Sequence, residues 1–291
     1  MTKPVRAILA SEFWPGATAS GIAPGLRETG WLVDEVDIQN FLPPTYSIPA
    51  KIEARLRRRF QGAAFQRAIL RSVQIHQPSV FLTVKGYCID PPCLAAMRRD
   101  GVLLVNYYPD YHFNDVSLDQ LTLYDLVITT KSFQLARLAK VMPPANVAFV
   151  HHGYSADLHR PIVTADPPIN DILYVGNATP TKAKLMIAVA EALPEATIRV
   201  VGHRWMQYAV GTALEKSVVG TAITGDYYAD EIARARVVLA FHMGVDSNTG
   251  FEDLVSTRSF EIPACGGFML HIDNDEIRSL YDVPSEIDTF R

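Results

Sequence analysis

The sequence predicts an α/β protein made of two Rossmann-like, doubly wound parallel-sheet halves, and three observations carry that expectation. Short apolar runs rich in β-branched residues alternate with helical stretches along the chain. Most of these runs lack strict polar/apolar alternation, as strands covered on both faces should. A proline-rich joint, "HRPIVTADPPIN" (159–170), interrupts the alternation once, and the pattern then restarts.

The first half offers strands at "VRAILA" (5–10), "WLVDEVDI" (31–38), "VFLTV" (80–84), "VLLVNYY" (102–108), "DLVITT" (125–130) and "VAFVHHG" (147–153). Helices are expected over 51–76, 91–100 and 132–141. The second half offers strands at "DILYVG" (171–176), "ATIRVVG" (196–202), "VVGTAI" (218–223) and "VVLAFH" (237–242), with helices near 181–193, 204–216 and 228–235. The expected division is an N-terminal domain over 1–160, a linker over 161–170 and a C-terminal domain over 171–291. Two such halves form a cleft, and ligands of doubly wound sheets bind at the carboxyl ends of the strands.

Composition excludes several classes. Hydrophobic residues make up 48% and charged residues 20% of the 291, a globular rather than a disordered balance. A net charge of −4 gives no global reason to expect nucleic acid. Cys88, Cys93 and Cys265 match neither a disulfide framework nor a zinc motif, so buried thiols in a reducing compartment are expected and no metal site is. The N-terminus "MTKPVRAILASEFWPG" reads as a first strand rather than a signal peptide, and no run reaches eighteen apolar residues. A cytoplasmic protein is expected.

One helix stands out for charge: "KIEARLRRRFQGAAFQRAILR" (51–71) sets Lys51, Arg55, Arg57, Arg58, Arg59, Arg67 and Arg71 against Glu53. Ile52, Leu56, Phe60, Ala63 and Ala64 keep helical spacing and form its expected apolar stripe. The basic face is either a solvated surface or a contact for an anionic membrane or acidic acceptor, which would place the protein at the inner face of a membrane.

Chemistry concentrates in "LAFHMGVDSNTGFEDLVSTRSFEIPACGGFML". A strand ends near His242, a polar loop (244–250) follows, and Phe251, Leu254, Val255, Arg258 and Ile262 take the buried spacing of a helix. Backbone N–H groups at that helix start, around Gly250, Phe251, Glu252 and Asp253, would suit a phosphate. On one continuous helix, Asp253 and Glu261 would lie about 12 Å apart along the axis and about 80° around it. That excludes a close acid/base dyad and suits the two ends of one long ligand. Glu261 beside Arg258 also reads as a plain intrahelical ion pair. Pro263 and Gly266–Gly267 would end the helix abruptly.

Other candidates lie elsewhere. Asp110 and His112 in "NYYPDYHF" should follow a strand's carboxyl end, where they would orient an acceptor hydroxyl or assist its proton loss, unless His112 is structural. Lys182 and Lys184 stand at a helix start, where a cation is mildly disfavoured without an anionic guest. Arg204 and Trp205 would line the same site or begin a surface helix. Tyr227 and Tyr228 would stack on a base. Gly21 and Gly25 in "ATASGIAPGLRETG" follow the first strand but lack the spacing of a dinucleotide fingerprint.

"RSFEIPACGGFML" (258–270) resembles the helix-to-strand signature of family-four retaining glycosyltransferases, nearest the spore-maturation-protein (CgeB-like) branch. "VKGYCIDPPCLAAMRRDGVLLVNYYPDYHF" (84–113), "HHGYSADLHRP" (151–161) and "ILYVGNATPTKAKLM" (172–186) resemble further segments of it in the same order. The resemblance covers roughly residues 78–282. It implies the two-domain GT-B fold, a nucleotide-diphosphate-sugar donor, no bound metal or other cofactor, and retention. Glu261 matches the carboxylate that binds the nucleotide ribose. Asp253 stands where the family has a glutamate on the donor sugar, with Glu252 as a competing neighbour. Lys182 or Lys184 matches the cation on the diphosphate, and Gly21 the glycine loop of the N-terminal domain. Family members continue beyond the last residue here with further helices, so a truncated C-terminal domain is expected.

The expected function is transfer of a sugar from such a donor to a hydroxyl on a glycan, lipid-linked or protein acceptor. A nucleotide-sugar epimerase of the same fold, or a non-catalytic nucleotide-sugar or glycan-binding module, is the rival.

Overall fold

A computed structural model describes residues 4–42, 48–113, 116–163, 166–242 and 252–291, with the side chains of 48–59 left aside. The chain divides into two compact units, Met1–His151 and His152–Arg291.

The first unit runs β1 (Arg6–Ser11), α1 (Thr18–Glu28), β2 (Leu32–Asp37), α2 (Ile48–His76), β3 (Val80–Val84), α3 (Pro91–Arg99), β4 (Leu103–Tyr108), α4 (Leu118–Leu121), β5 (Leu126–Thr129), α5 (Gln134–Leu138) and β6 (Val147–Phe149). Its six strands are parallel in the order β2-β1-β3-β4-β5-β6. All five residues of β3 are buried, because α-helices cover both faces of a parallel sheet. Ile8, Phe65, Ile69, Phe81 and Leu104 build the core on one face, and Leu9, Ala19, Leu82 and Val105 that on the other.

The second unit runs β7 (Asn170–Val175), α6 (Pro180–Ala192), β8 (Ile198–Val201), α7 (Met206–Ala209), β9 (Val218–Val219), α8 (Asp226–Ala233), β10 (Ala235–Ala240), α9 (Arg258–Ala264), β11 (Met269–Ile272), α10 (Asp275–Leu280) and β12 (Asp288–Phe290). These strands too are all parallel, in the order β9-β8-β7-β10-β11-β12. Renumbered within the unit, that is the 3-2-1-4-5-6 order of a Rossmann sheet, whose direction of winding reverses between β7 and β10. The first sheet reverses between β1 and β3. The α/β class of two Rossmann-like parallel sheets, the domain type of GT-B glycosyltransferases, is therefore what the chain adopts.

Four local expectations fail. Gly21 and Gly25 lie inside α1 rather than in a loop, so neither offers a strained backbone to a ligand. Phe60 is 78% exposed, and Phe65, Ile69 and Val73 form the buried stripe of α2 in its place. The helix expected over 204–216 is one turn long, because the chain turns left-handed at Gly211 (φ 77°). Residues 253–256 are not helical, and α9 begins only at Arg258. Gly250 and Phe251 fall outside the described residues, and a seven-residue helix starting at Arg258 does not present 250–253 as its N-terminus.

The end of α9 follows expectation. Gly266 N–H donates to the Pro263 carbonyl (2.9 Å) and Gly267 N–H to that of Ile262 (3.1 Å), closing the helix through Gly266 in the left-handed region (φ 76°). Pro263 cannot donate to the Ser259 carbonyl four residues back, and the Tyr281 hydroxyl donates to it instead, at 2.8 Å.

Candidate functional site

The carboxyl ends of β7 and β8 turn on two glycines. Gly176 has φ +148° and Gly202 φ +145°, values that L side chains rarely adopt. They touch one another: a Cβ on Gly202 would stand 2.6 Å from the Gly176 carbonyl carbon and closer still to its oxygen. That oxygen accepts the Trp205 indole N–H at 2.7 Å. Gly176 in turn makes room for Arg258, whose Nη1 would lie 2.8 Å from a Cβ placed there. The Arg258 guanidinium sits 5.5 Å from the centre of the buried Tyr174 ring.

Around Arg258 the second unit gathers its carboxylates. Glu261, one turn on along α9, has a side chain only 18% exposed. Burial raises its pKa, opposed first by the Arg258 charge and then by hydrogen bonding from Thr257 and Tyr228. Asp253, 9% exposed, adds to the field that keeps Arg258 protonated. His159 Nε2 lies 3.8 Å from Glu261 Oε1, and the His159 ring meets Tyr228 edge-on at 5.5 Å between centroids. Ser155 N–H donates to His159 Nδ1 at 3.1 Å. Burial lowers the His159 pKa, which favours its neutral form. A half-buried cation thus stands in the field of two acidic groups, with a phenol, a threonine and an imidazole around Glu261.

Behind this cluster lies a second polar group. His271 Nδ1–H donates to the Ile272 carbonyl at 2.7 Å, which leaves its Nε2 as an acceptor. Nε2 takes the Ser259 hydroxyl at 2.9 Å and His242 Nε2–H at 3.1 Å. His271 is fully buried, and burial lowers its pKa to about 4. The unfolded imidazole takes up a proton near pH 6.5 that the folded one refuses, so stability falls as pH drops from about 6.5 to about 4. The expected contribution is about 1.4 kcal/mol per pH unit, about 3 kcal/mol across the window. His271→Gln should remove that slope from denaturant titrations run between these pH values.

The residues expected to matter sort themselves by place. Arg258, Glu261 and Asp253 come together, although Asp253 arrives on irregular chain rather than on the helix; Glu252 is exposed. Lys182 is 7% exposed in the first turn of α6, where its N–H reaches the capping Thr179 hydroxyl at 3.4 Å, whereas Lys184 points to solvent. Arg204 is exposed, and Trp205 beside it is the buried member of that pair. Tyr227 is 77% exposed, and Tyr228 takes the inward place. In the first unit Asp110 pairs with Lys85 (Oδ2–Nζ 2.6 Å), and no hydrogen bond joins it to His112 among the described residues. The exposed His112 packs its ring edge-on against Tyr111 at 4.6 Å. Gly21 belongs to α1.

Sequence reasoning missed Gly176, His159, Thr257 and the His271 group. The glycines left a signal, since "YVGN" and "VVGH" both end a strand on glycine. His159 left none, because its partner Glu261 is far away in sequence.

Comparison with known proteins bears on the fold. The profile of a family described as glycosyl transferase-like matches residues 181–291. A solved structure of AviGT4, a glycosyltransferase involved in avilamycin A biosynthesis, superposes with TM-score 0.63 at 17% identity, over 99% of this chain and 84% of its own. A putative UDP-N-acetylglucosamine 2-epimerase from Listeria monocytogenes gives 0.56 at 10% identity, over 96% and 82%. The UDP complex of MnaA from S. aureus gives 0.53 at 10%, over 93% and 79%. No curated protein matches the chain. The fold is glycosyltransferase-like, and the putative epimerase shares it.

Proposed function

We propose that the protein is a glycosyltransferase that moves a sugar from a nucleotide-diphosphate donor to a hydroxyl acceptor, with retention and without a bound metal. The observation that carries the reading is the Arg258–Glu261–Asp253 assembly beside Gly176, at the carboxyl end of β7, where the second sheet reverses its winding. The likeness of residues 181–291 to glycosyl transferase-like sequences supports it, and the motif at 258–270 resembles that of the spore-maturation-protein branch.

Each residue then has a task. Glu261 accepts hydrogen bonds from the ribose hydroxyls, held in place by Arg258. Lys182 contacts the diphosphate, and Asp253 the donor sugar. As the bond from the anomeric carbon to the phosphate oxygen breaks, negative charge grows on the leaving diphosphate. A cation there acts more strongly in the transition state than before it. The incoming hydroxyl attacks from the same face, and its proton passes to the departing phosphate oxygen. No protein nucleophile is needed, which suits a site whose acidic residues are tied to Arg258. Asp110, turned toward Lys85, and His112 orient the acceptor in the first unit.

The epimerase rival draws on the likeness to the Listeria protein. Incubation with nucleotide-diphosphate sugars, with and without hydroxyl acceptors, separates the two by mass spectrometry. Sugar transfer, or slow donor hydrolysis in water alone, is expected. An epimerised nucleotide sugar formed without acceptor would replace this reading, and an unchanged donor under all conditions would leave a binding module.

A further inference from the structure

The first unit holds a pocket of about 270 Å³ that the donor chemistry does not use. It opens between α2, which contributes Gly62, Ala63 and Gln66, and the loop that follows β3, with Val116 and Gln120 closing the third side. That loop leaves the carboxyl end of β3, beside the reversal point of the first sheet, where doubly wound folds bind ligands. Its backbone is held in a costly shape: Lys85 (φ 67°), Gly86 (φ 79°) and Cys88 (φ 59°) are all left-handed, two of them without glycine's freedom. α2 packs close to this loop, and a Cβ on Gly62 would stand in ordinary contact with that of Cys88, at 3.9 Å.

The lining chemistry is selective. Asp90 and Gln66 brace each other, Gln66 Nε2 donating to Asp90 Oδ2 at 2.9 Å and Asp90 N–H to Gln66 Oε1 at 3.1 Å. The Gln120 carbonyl takes Ser117 N–H at 3.1 Å, which leaves its amide N–H groups as donors. The floor is small and apolar: Ala63, Ile89 and Val116. Among the described residues no Lys, Arg or His lines the space, and nearby Lys85 is committed to Asp110. Behind Gly86 the fully buried Asn106 amide lies against the Tyr124 hydroxyl. A carboxylate acceptor and amide donors around a small apolar floor suit hydroxyl groups on a ring, not a phosphate. The volume falls just below the roughly 300–1,000 Å³ of pockets for drug-sized ligands, which limits the guest to about one ring.

We propose that this pocket binds a neutral, polyhydroxylated ring of monosaccharide size, and that this ring is the acceptor. The acceptor role rests on the transferase reading, whereas the binding does not. Cys88 supplies the probe. It lines the pocket and is partly exposed, whereas Cys93 and Cys265 are buried and their thiols are pushed up to about 11. Alkylation of Cys88 by iodoacetamide is followed by mass spectrometry in the presence of methyl glucoside, galactoside, mannoside or N-acetylglucosaminide, with inorganic phosphate as the anionic control. At least one glycoside should slow labelling about tenfold when present at about ten times its Kd. Phosphate should not, and Ala63→Phe, which fills the pocket, should abolish the protection while melting as a folded protein. If Cys88 resists alkylation in the free protein, amide shifts of 62–66 and 86–90 report the same titrations. Absence of any glycoside effect, or protection that survives Ala63→Phe, overturns the pocket assignment. Protection without transfer to the protecting sugar overturns only the acceptor role, and transfer without protection leaves the transferase and removes the pocket.

Discussion

Arg258→Met is expected to destabilise the His152–Arg291 unit by about 3 kcal/mol and to abolish measurable nucleotide binding. Methionine fills most of the volume over Tyr174, so the loss comes from charge rather than from a cavity. Glu261 is already raised in pKa by burial, and Arg258 is the strongest influence opposing that rise. Removing one partner from a buried ionic group costs about 3–5 kcal/mol, because the other charge is stranded. Without the Arg258 charge the Glu261 carboxyl would rise further in pKa, and a protonated carboxyl no longer accepts from two ribose hydroxyls at once. Denaturant unfolding at a series of pH values checks this directly: the deficit should shrink as the pH falls and Glu261 takes up its proton in both proteins. An equal deficit at every pH would mean that Arg258 acts by packing alone.

Gly202→Ala is expected to cost about 3–5 kcal/mol, enough to unfold the second unit near physiological temperature. Two terms add. An alanine at φ +145° carries about 1–3 kcal/mol of backbone strain, and its methyl group would collide with the Gly176 peptide for a similar overpacking cost. Backbone atoms cannot turn aside as a long side chain can, so relief requires β7 and β8 to part at their carboxyl ends. The Trp205 to Gly176 hydrogen bond should break with them, and tryptophan fluorescence would report it during thermal melting. A variant that melts within about 1 kcal/mol of the parent, against the typical effect of a core substitution, would show that the two turns are not wedged together.

The sheets were legible in the sequence because parallel strands buried on both faces leave continuous apolar runs. The β3 run "VFLTV" is the clearest of these, buried at every residue. The loops that carry chemistry were less legible. Leu254, Val255, Arg258 and Ile262 fit a helical spacing, yet Asp253 and Val255 are the buried members of an irregular segment, at a spacing of two. A few apolar residues satisfy both periods, and only the tertiary setting chooses between them. The basic helix shows the same ambiguity in another form: Phe60 and Phe65 both belong to a plausible stripe, and packing against β1 and β3 selects Phe65. Gly21 was attractive because glycine after a strand so often marks a phosphate loop, but here it sits in a helix, and Gly176 and Gly202 take the conformations that require glycine. Glu261 was picked by motif, while Tyr228 and His159 around it depend on contacts across the whole second unit.

The central claim is that the second unit binds a nucleoside diphosphate through Glu261. Calorimetric titration of UDP, GDP, ADP, CDP and dTDP into the parent protein and into Glu261→Ala tests it most directly. One base series should bind the parent, and the substitution should weaken that binding by about 1–3 kcal/mol, the cost of leaving the ribose hydroxyls and Arg258 without their acceptor. Affinity unchanged in a folded Glu261→Ala protein would contradict the ribose assignment, and no binding by any of the five nucleotides to the parent would contradict the donor site itself.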